Sequence, residues 1–287
     1  MPPVSIPEVV AKGLAFGEGP RWRDGQLWFS DMHDHAVKTY APESGKVERV
    51  VDVPGSPSGL GWDASGRLLI VSMDDRRLLR FDDGRLSEVA DLSAYTEQPI
   101  NDMVVSEMGT AYIGSFGFDL HAGEAPRPTV LLGVDVDEGT HRVVADEMRF
   151  PNGMVITRDG STLIVGESFG ACLTAFAIQP DGSLADRREW AALDGGAVPD
   201  GICLDAEGCV WVSSPTTHEF LRVREGGEIA RRISTGDLLA IACMLGDDDR
   251  KTLYMLTSKG LDPQKAAELR TGQLERTRVD VPGAGLP

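Results

Sequence analysis

The sequence predicts an all-β fold, a six-bladed β-propeller with four antiparallel strands per blade around a central channel, and three observations predict it. A strand-turn-strand pattern recurs six times along the chain; the repeat length matches a propeller blade; and long helical periodicity is absent. The repeats open at Glu18 (EGPRWRDGQLWFSD), Ser58 (SGLGWDASGRLLIVS), Asn101 (NDMVVSEMGTAYIGS), Asn152 (NGMVITRDGSTLIVGES), Asp200 (DGICLDAEGCVWVSS) and Ala242 (ACMLGDDDRKTLYMLTS). Successive starts lie 40, 43, 51, 48 and 42 residues apart.

Each repeat begins with a short apolar run, a polar turn and a second apolar run ending in a small residue. The turn slot holds Asp24-Gly25, Ser65-Gly66, Met108-Gly109, Asp159-Gly160 and Glu207-Gly208, residues that favour tight hairpins. A second pair of runs follows, broken at Ser44-Gly45, Asp83-Gly84, Asp181-Gly182 and Gly226-Gly227, which completes four strands per unit. Asp262 to Arg270 (DPQKAAELR) is the one segment suited to a short helix and is expected as an insertion. No composition shift marks a linker, so residues 1–287 are expected to form one propeller domain, its ring closed by a strand from one terminus.

Asp plus Glu outnumber Lys plus Arg by 45 to 28, a formal charge of -17. That balance argues against nucleic acid and anionic lipid as partners, and suits cations, although surface carboxylates also serve solubility. The N-terminal MPPVSIPEVVAKG has neither a basic leader nor an apolar core, and no stretch approaches the length of a membrane span. A soluble, cytoplasmic protein is expected. Cys172, Cys203, Cys209 and Cys243 lie singly in apolar runs, as small buried hydrophobes do.

The first position of the six repeats reads Glu18, Ser58, Asn101, Asn152, Asp200 and Ala242. Inner strands of a propeller line its channel, so equivalent positions near their starts converge on the axis. Asn152-Gly153 and Asp200-Gly201 are turn-like pairs, yet each repeat already has a separate turn slot farther on. Two carboxylates and one or two amides meeting in a channel are costly without a counter-charge. A divalent cation resolves the conflict, and oxygen-only donors favour a hard ion such as calcium or magnesium. Three ligands, Glu18, Asn152 and Asp200, leave coordination positions for water and substrate.

Other residues admit two readings. His33, His35, His121 and His218 follow second strands, in loops that border the channel mouth or lie outside it. Phe116 and Phe118 are pocket wall or packing, and Asp31 and Glu167 are expected to satisfy turn backbones. No G-x-S-x-G nucleophile elbow occurs, and the Asp247-Asp248-Asp249 run lacks the spacing of a calcium loop.

With EGP at Glu18 to Pro20, ND at Asn101 to Asp102, PNG at Pro151 to Gly153 and PDG at Pro199 to Gly201, in that order, the sequence resembles the senescence marker protein, gluconolactonase and regucalcin family of calcium-dependent six-bladed propellers. The resemblance implies Glu18, Asn152 and Asp200 as metal ligands, Asn101 as a contact to substrate or metal-bound water, and Asp200 as general base. It implies a divalent cation, calcium first, with magnesium, manganese or zinc as the other candidates. The implied activity is opening of a lactone ring, with an aryl esterase or organophosphatase, or a non-catalytic calcium-binding propeller, as alternatives. One departure bears on the substrate. The family pattern often has Arg-x-Asn-Asp-Gly, whereas this chain has Gln98-Pro99-Ile100-Asn101-Asp102-Met103. The arginine suited to sugar hydroxyls is absent, and a less hydroxylated lactone or ester is expected.

Overall fold

A computed structural model describes residues 7–286. Met1 to Ile6, part of the N-terminal stretch discussed above, and Pro287 lie outside the described residues, and with them the two ends of the domain assigned to 1–287.

Six four-stranded antiparallel sheets stand around one axis as a six-bladed β-propeller. Blade 1 comprises Gly17–Arg23, Gln26–Asp31, Ala36–Ala41 and Lys46–Asp52. Blade 2 comprises Pro57–Trp62, Leu68–Ser72, Arg77–Asp82 and Arg85–Asp91; blade 3, Ile100–Val105, Thr110–Ser115, Thr129–Asp135 and His141–Met148. Blade 4 comprises Pro151–Ile156, Thr162–Glu167, Cys172–Ile178 and Leu184–Ala192; blade 5, Ile202–Leu204, Val210–Ser214, Glu219–Val223 and Ile229–Ser234. Blade 6 takes three strands from the C-terminal end, Leu239–Gly246, Thr252–Ser258 and Gly272–Arg278, and its outermost strand from the N-terminal end, Glu8–Leu14. Glu8 opposite Arg276 and Leu14 opposite Gly272 fix the closing register.

Burial grades from axis to rim. Pro151–Ile156, an innermost strand, and Thr252–Ser258, a second strand, are buried at every position, because both faces of the strands nearest the axis pack on neighbouring blades. The outermost Lys46–Asp52 has no buried residue, which matches its polar sequence. All four cysteines are buried and free. The expected short helix forms at Pro263–Leu269. Asp262 caps it by accepting from the Lys265 N–H at 2.9 Å, and Pro263 occupies the first turn, where its missing N–H is harmless. It lies between the second and third strands of blade 6. Among the described residues no helix is long and apolar enough to cross a membrane.

Candidate metal centre and cavity

Every inner strand except the short one of blade 5 carries a register irregularity at or next to the repeat's first residue. Between Glu18 and Arg21 the strand advances three residues while its partner advances two, from Ser30 to Trp28. The same one-residue bulge recurs between Pro57 and Leu60, Ile100 and Met103, Pro151 and Met154, and Ala240 and Ala242. A bulge re-aims a side chain that an ideal strand would point into the sheet, and repeating it aims the equivalent residues together.

The glycines after Asn152 and Asp200 are not turn glycines. The hairpin glycines all have positive φ, for example 74° at Gly25. Gly153 and Gly201 do not; they are required by close approach. A Cβ on Gly153 would lie 2.5 Å from the Ile202 N and 2.6 Å from the Asp200 O, and one on Gly201 would lie 2.5 Å from the Ala242 Cβ. The inner strands therefore nest backbone against backbone. Two matching bonds run along this seam: the Gly153 N–H donates to the Asp200 carbonyl at 3.2 Å, and the Gly201 N–H to the Ile241 carbonyl at 2.9 Å. That pairing corrects the sequence alignment in blade 6. The sixth slot is Ile241, with Ala242 in the glycine position, because an alanine there tolerates the contact and hides the offset.

Glu18, Asn101, Asn152 and Asp200 all line one cavity of about 600 Å³. Glu18 is 6% exposed and Asp200 9%. The Asn152 Nδ2 donates to the Asp200 Oδ1 at 2.6 Å and to the Ser168 Oγ at 3.3 Å. The Asn101 Oδ1 accepts from the Ser58 Oγ at 3.4 Å. Glu18 accepts from the Gly19 N–H at 3.0 Å. Burial, and after it the charges of Asp200 and Asp102, hold the Glu18 carboxyl well above the usual carboxylate range. Burial also pushes Asp200 up to about 8; the Asn152 hydrogen bond opposes this and Asp102 adds to it. Both buried carboxyls therefore resist ionisation, chiefly because they are withdrawn from water.

Among the described residues no group of three or more His, Cys, Asp and Glu is arranged to hold a metal. The slot ring supplies two carboxylates, and its remaining side-chain oxygens are the amides of Asn101 and Asn152 and the Ser58 hydroxyl, which donates to Asn101. Asp102 turns instead to Arg21. The Arg21 Nη2 donates to the Asp102 Oδ1 at 2.8 Å and to the Met103 carbonyl, while its Nε and Nη1 reach the Leu60 and Pro20 carbonyls, each at 2.9 Å. This buried guanidinium ties blades 1, 2 and 3 together just behind Glu18 and Asn101. Arg21 was missed in the sequence; a charged residue inside an inner strand was the signal available.

Of the four histidines that follow second strands, His33, His35 and His121 line the cavity. Burial, then His121 and His35, lower the His33 pKa. His218 is turned elsewhere, its Nδ1 2.9 Å from the Leu238 carbonyl. Phe116 lines the cavity whereas Phe118 is packed behind it against Phe150, ring centroids 5.7 Å apart. Asp31 and Glu167 satisfy backbone as expected, accepting from the Phe16 and Arg149 N–H groups at 2.7 Å. The helix Pro263–Leu269 lends Pro263, Gln264 and Ala267 to the wall, and Arg270 beyond it anchors to the Asp34 Oδ1 at 2.7 Å.

The family model for the SMP-30/Gluconolactonase/LRE-like region matches residues 16–259. The chain belongs to this family. It is similar to a pentonolactonase of Haloferax volcanii, 26% identical over 296 residues that cover 99% of this chain and 97% of the relative. Among solved structures, a gluconolactonase of Xanthomonas campestris superposes with a TM-score of 0.73 at 25% identity, covering 97% of this chain and 89% of the other. A regucalcin of Agrobacterium tumefaciens, described as calcium-binding, superposes with a TM-score of 0.82 over 99% and 97% of the two chains; at 20% identity it supports the shared propeller fold.

Proposed function

We propose that this family member is a metal-dependent hydrolase that opens the ring of a lactone. The observation that carries the reading is the convergence of Glu18, Asn101, Asn152 and Asp200 on one cavity, with both carboxyls buried and driven toward protonation. Similarity to a pentonolactonase and a gluconolactonase supports the reaction class.

The donor set fits a divalent cation: two carboxylates match its charge, and amide oxygens add neutral donors, a combination that favours calcium or magnesium. Glu18, Asn152 and Asp200 would hold it. Such a cation, when bound, supplies Lewis-acid polarisation of a carbonyl oxygen, on the order of several kcal/mol. The remaining work falls to the chain. Asn101, fixed through Ser58, orients the substrate at the cavity's inner end. Asn152 holds the Asp200 carboxylate through its 2.6 Å bond. Asp200 takes a proton from the attacking water as the water oxygen bonds to the acyl carbon, and returns it to the ring oxygen when the acyl–oxygen bond breaks. The apolar walls restrict bulk water around the reacting group.

The test is hydrolysis of a panel of lactones and esters after chelation, with calcium, magnesium, manganese and zinc restored separately. Lactone turnover is expected to vanish on chelation and return first with calcium. Turnover that survives chelation overturns the metal requirement, ester turnover alone moves the protein to the aryl-esterase class, and cation binding without any turnover makes it a binding propeller.

A further inference from the structure

We infer that the substrate of this site is a lactone whose ring carbons carry apolar groups, alkyl or aryl, rather than the hydroxyls of a sugar lactone. The inference rests on the lactone-hydrolase reading above and adds the substrate's chemical class.

It follows from the repeat itself. Two residues before each slot, blades 1 to 5 place Phe16, Ser56, Pro99, Phe150 and Val198, and all five line the cavity. The residue following each second strand gives another ring, Met32, Met73, Phe116, Ser168 and Pro215, and all five line it too. Eight of these ten side chains have no hydrogen-bonding group. The two that do are already committed: the Ser56 Oγ donates to the Asp74 Oδ2 at 2.7 Å, and the Ser168 Oγ to the Pro199 carbonyl at 2.7 Å. A polyhydroxylated ring held within these two rings would bury hydroxyls against carbon, at a loss of roughly tenfold to a hundredfold in affinity for each one left unpaired.

Three of the four phenylalanines that line the cavity stand together on one side. Phe116 and Phe150 lie with ring centroids 4.4 Å apart, and Phe150 and Phe169 5.4 Å apart, on blades 3 and 4. Phe150 holds its place with φ of 63°, a left-handed conformation that is strained for a bulky residue. Phe169, at the rim, remains 45% exposed, an aromatic face left for a ligand to cover. Polar groups stand at intervals around the rest of the wall: His33, His35 and Asp74 on blades 1 and 2, Asp119 and His121 on the long loop of blade 3, Thr216 on blade 5 and Gln264 on the helix. A substrate with a phenyl-sized group directed at blades 3 and 4 matches the Phe116–Phe150–Phe169 cluster.

The experiment compares δ-phenyl-δ-valerolactone with glucono-δ-lactone, two six-membered rings, on the calcium-loaded protein and on Phe169→Ala and Phe116→Leu. Expected is a kcat/KM at least tenfold higher for the phenyl lactone, a preference that falls about tenfold in Phe169→Ala, chiefly through KM. Equal or better turnover of glucono-δ-lactone overturns the inference, as does a preference unchanged in both variants. If neither lactone is hydrolysed, calorimetry with the matching phenyl-substituted lactam separates the two claims. Saturable binding weakened in Phe169→Ala sustains the apolar-ligand inference while the hydrolase reading falls; no binding overturns the inference as well.

Discussion

Arg21 offers the sharpest test of how the centre is built. It is 2% exposed and its partner Asp102 3%, and it satisfies the carbonyls of Pro20, Leu60 and Met103 besides that carboxylate. Arg21→Met keeps the stem's bulk but leaves Asp102 without its cation and removes the donor from three buried carbonyls. Breaking a buried pair from one side costs about 3–5 kcal/mol. For 287 residues the unfolding entropy is about 0.6 kcal/mol/K, so Tm should fall by roughly 5–8 °C. The assay is thermal unfolding with a urea titration in parallel, read at unchanged m so that the loss is one of native stability. Arg21→Met/Asp102→Leu should recover part of the loss, since removing both partners avoids the orphaned charge. A single variant that loses less than about 1 kcal/mol, or a double variant worse than the sum of its singles, would refute the idea that Arg21 serves as the brace behind Glu18 and Asn101.

Cation binding should appear as stability: calcium at a hundred times its Kd adds about 2.7 kcal/mol, or about 4–5 °C in Tm for a chain of this size, and Glu18→Gln should abolish that shift in differential scanning fluorimetry without lowering the metal-free Tm. Asp200→Ala should cut lactone turnover by about 10²–10⁴ while circular dichroism stays unchanged; retained turnover removes Asp200 from the proton-transfer role. Gly153→Ala should cost about 1–3 kcal/mol or more, because the new Cβ meets backbone rather than a flexible side chain, and should weaken cation binding by displacing Asp200; an unchanged Tm and Kd would show that the seam is loose. The Arg270 and Lys38 partners hold the Asp34 carboxyl below its ordinary value, Arg270 foremost. Its contribution is therefore fully present above the unfolded pKa of about 3.9 and is lost as pH falls from there through the depressed folded value, so the Tm gap between wild type and Asp34→Asn should be full at pH 7 and narrowed but still open at about pH 3.

Repetition made the fold legible. A single strand-turn-strand run such as Ser58 to Ser72 is ambiguous, but six in phase leave few architectures, and the slot positions could be compared because each repeat opens its first strand in the same way. What escaped reading were the features that break the repetition. Closure by a terminal strand was expected, but that Glu8–Leu14 supplies it was not legible, because the pairing is set by closure and not by local pattern. In blade 6 the glycine position holds Ala242, so no Asx-Gly pair marks the slot and Ile241 was hidden by one residue.

The cavity wall shows the same limit from another side. Phe16, Phe150 and Val198 look like ordinary apolar residues beside Gly17, Pro151 and Pro199, and only their common offset from Glu18, Asn152 and Asp200 shows that they form a ring. The offset matters because the two rings make opposite demands. The slot ring gathers carboxyls that burial drives toward protonation, and the ring beside it supplies carbon that deepens that burial. On the proposed reading the apolar wall would do two things at once: raise the need for a cation between Glu18 and Asp200, and select against hydroxyls on what lies above them. Metal demand and substrate polarity are thus coupled through one layer of side chains. A polar residue introduced there, such as Val198→Thr, should relax both, lowering the penalty against glucono-δ-lactone and weakening calcium binding together. Movement of one without the other would show that the two rings act independently.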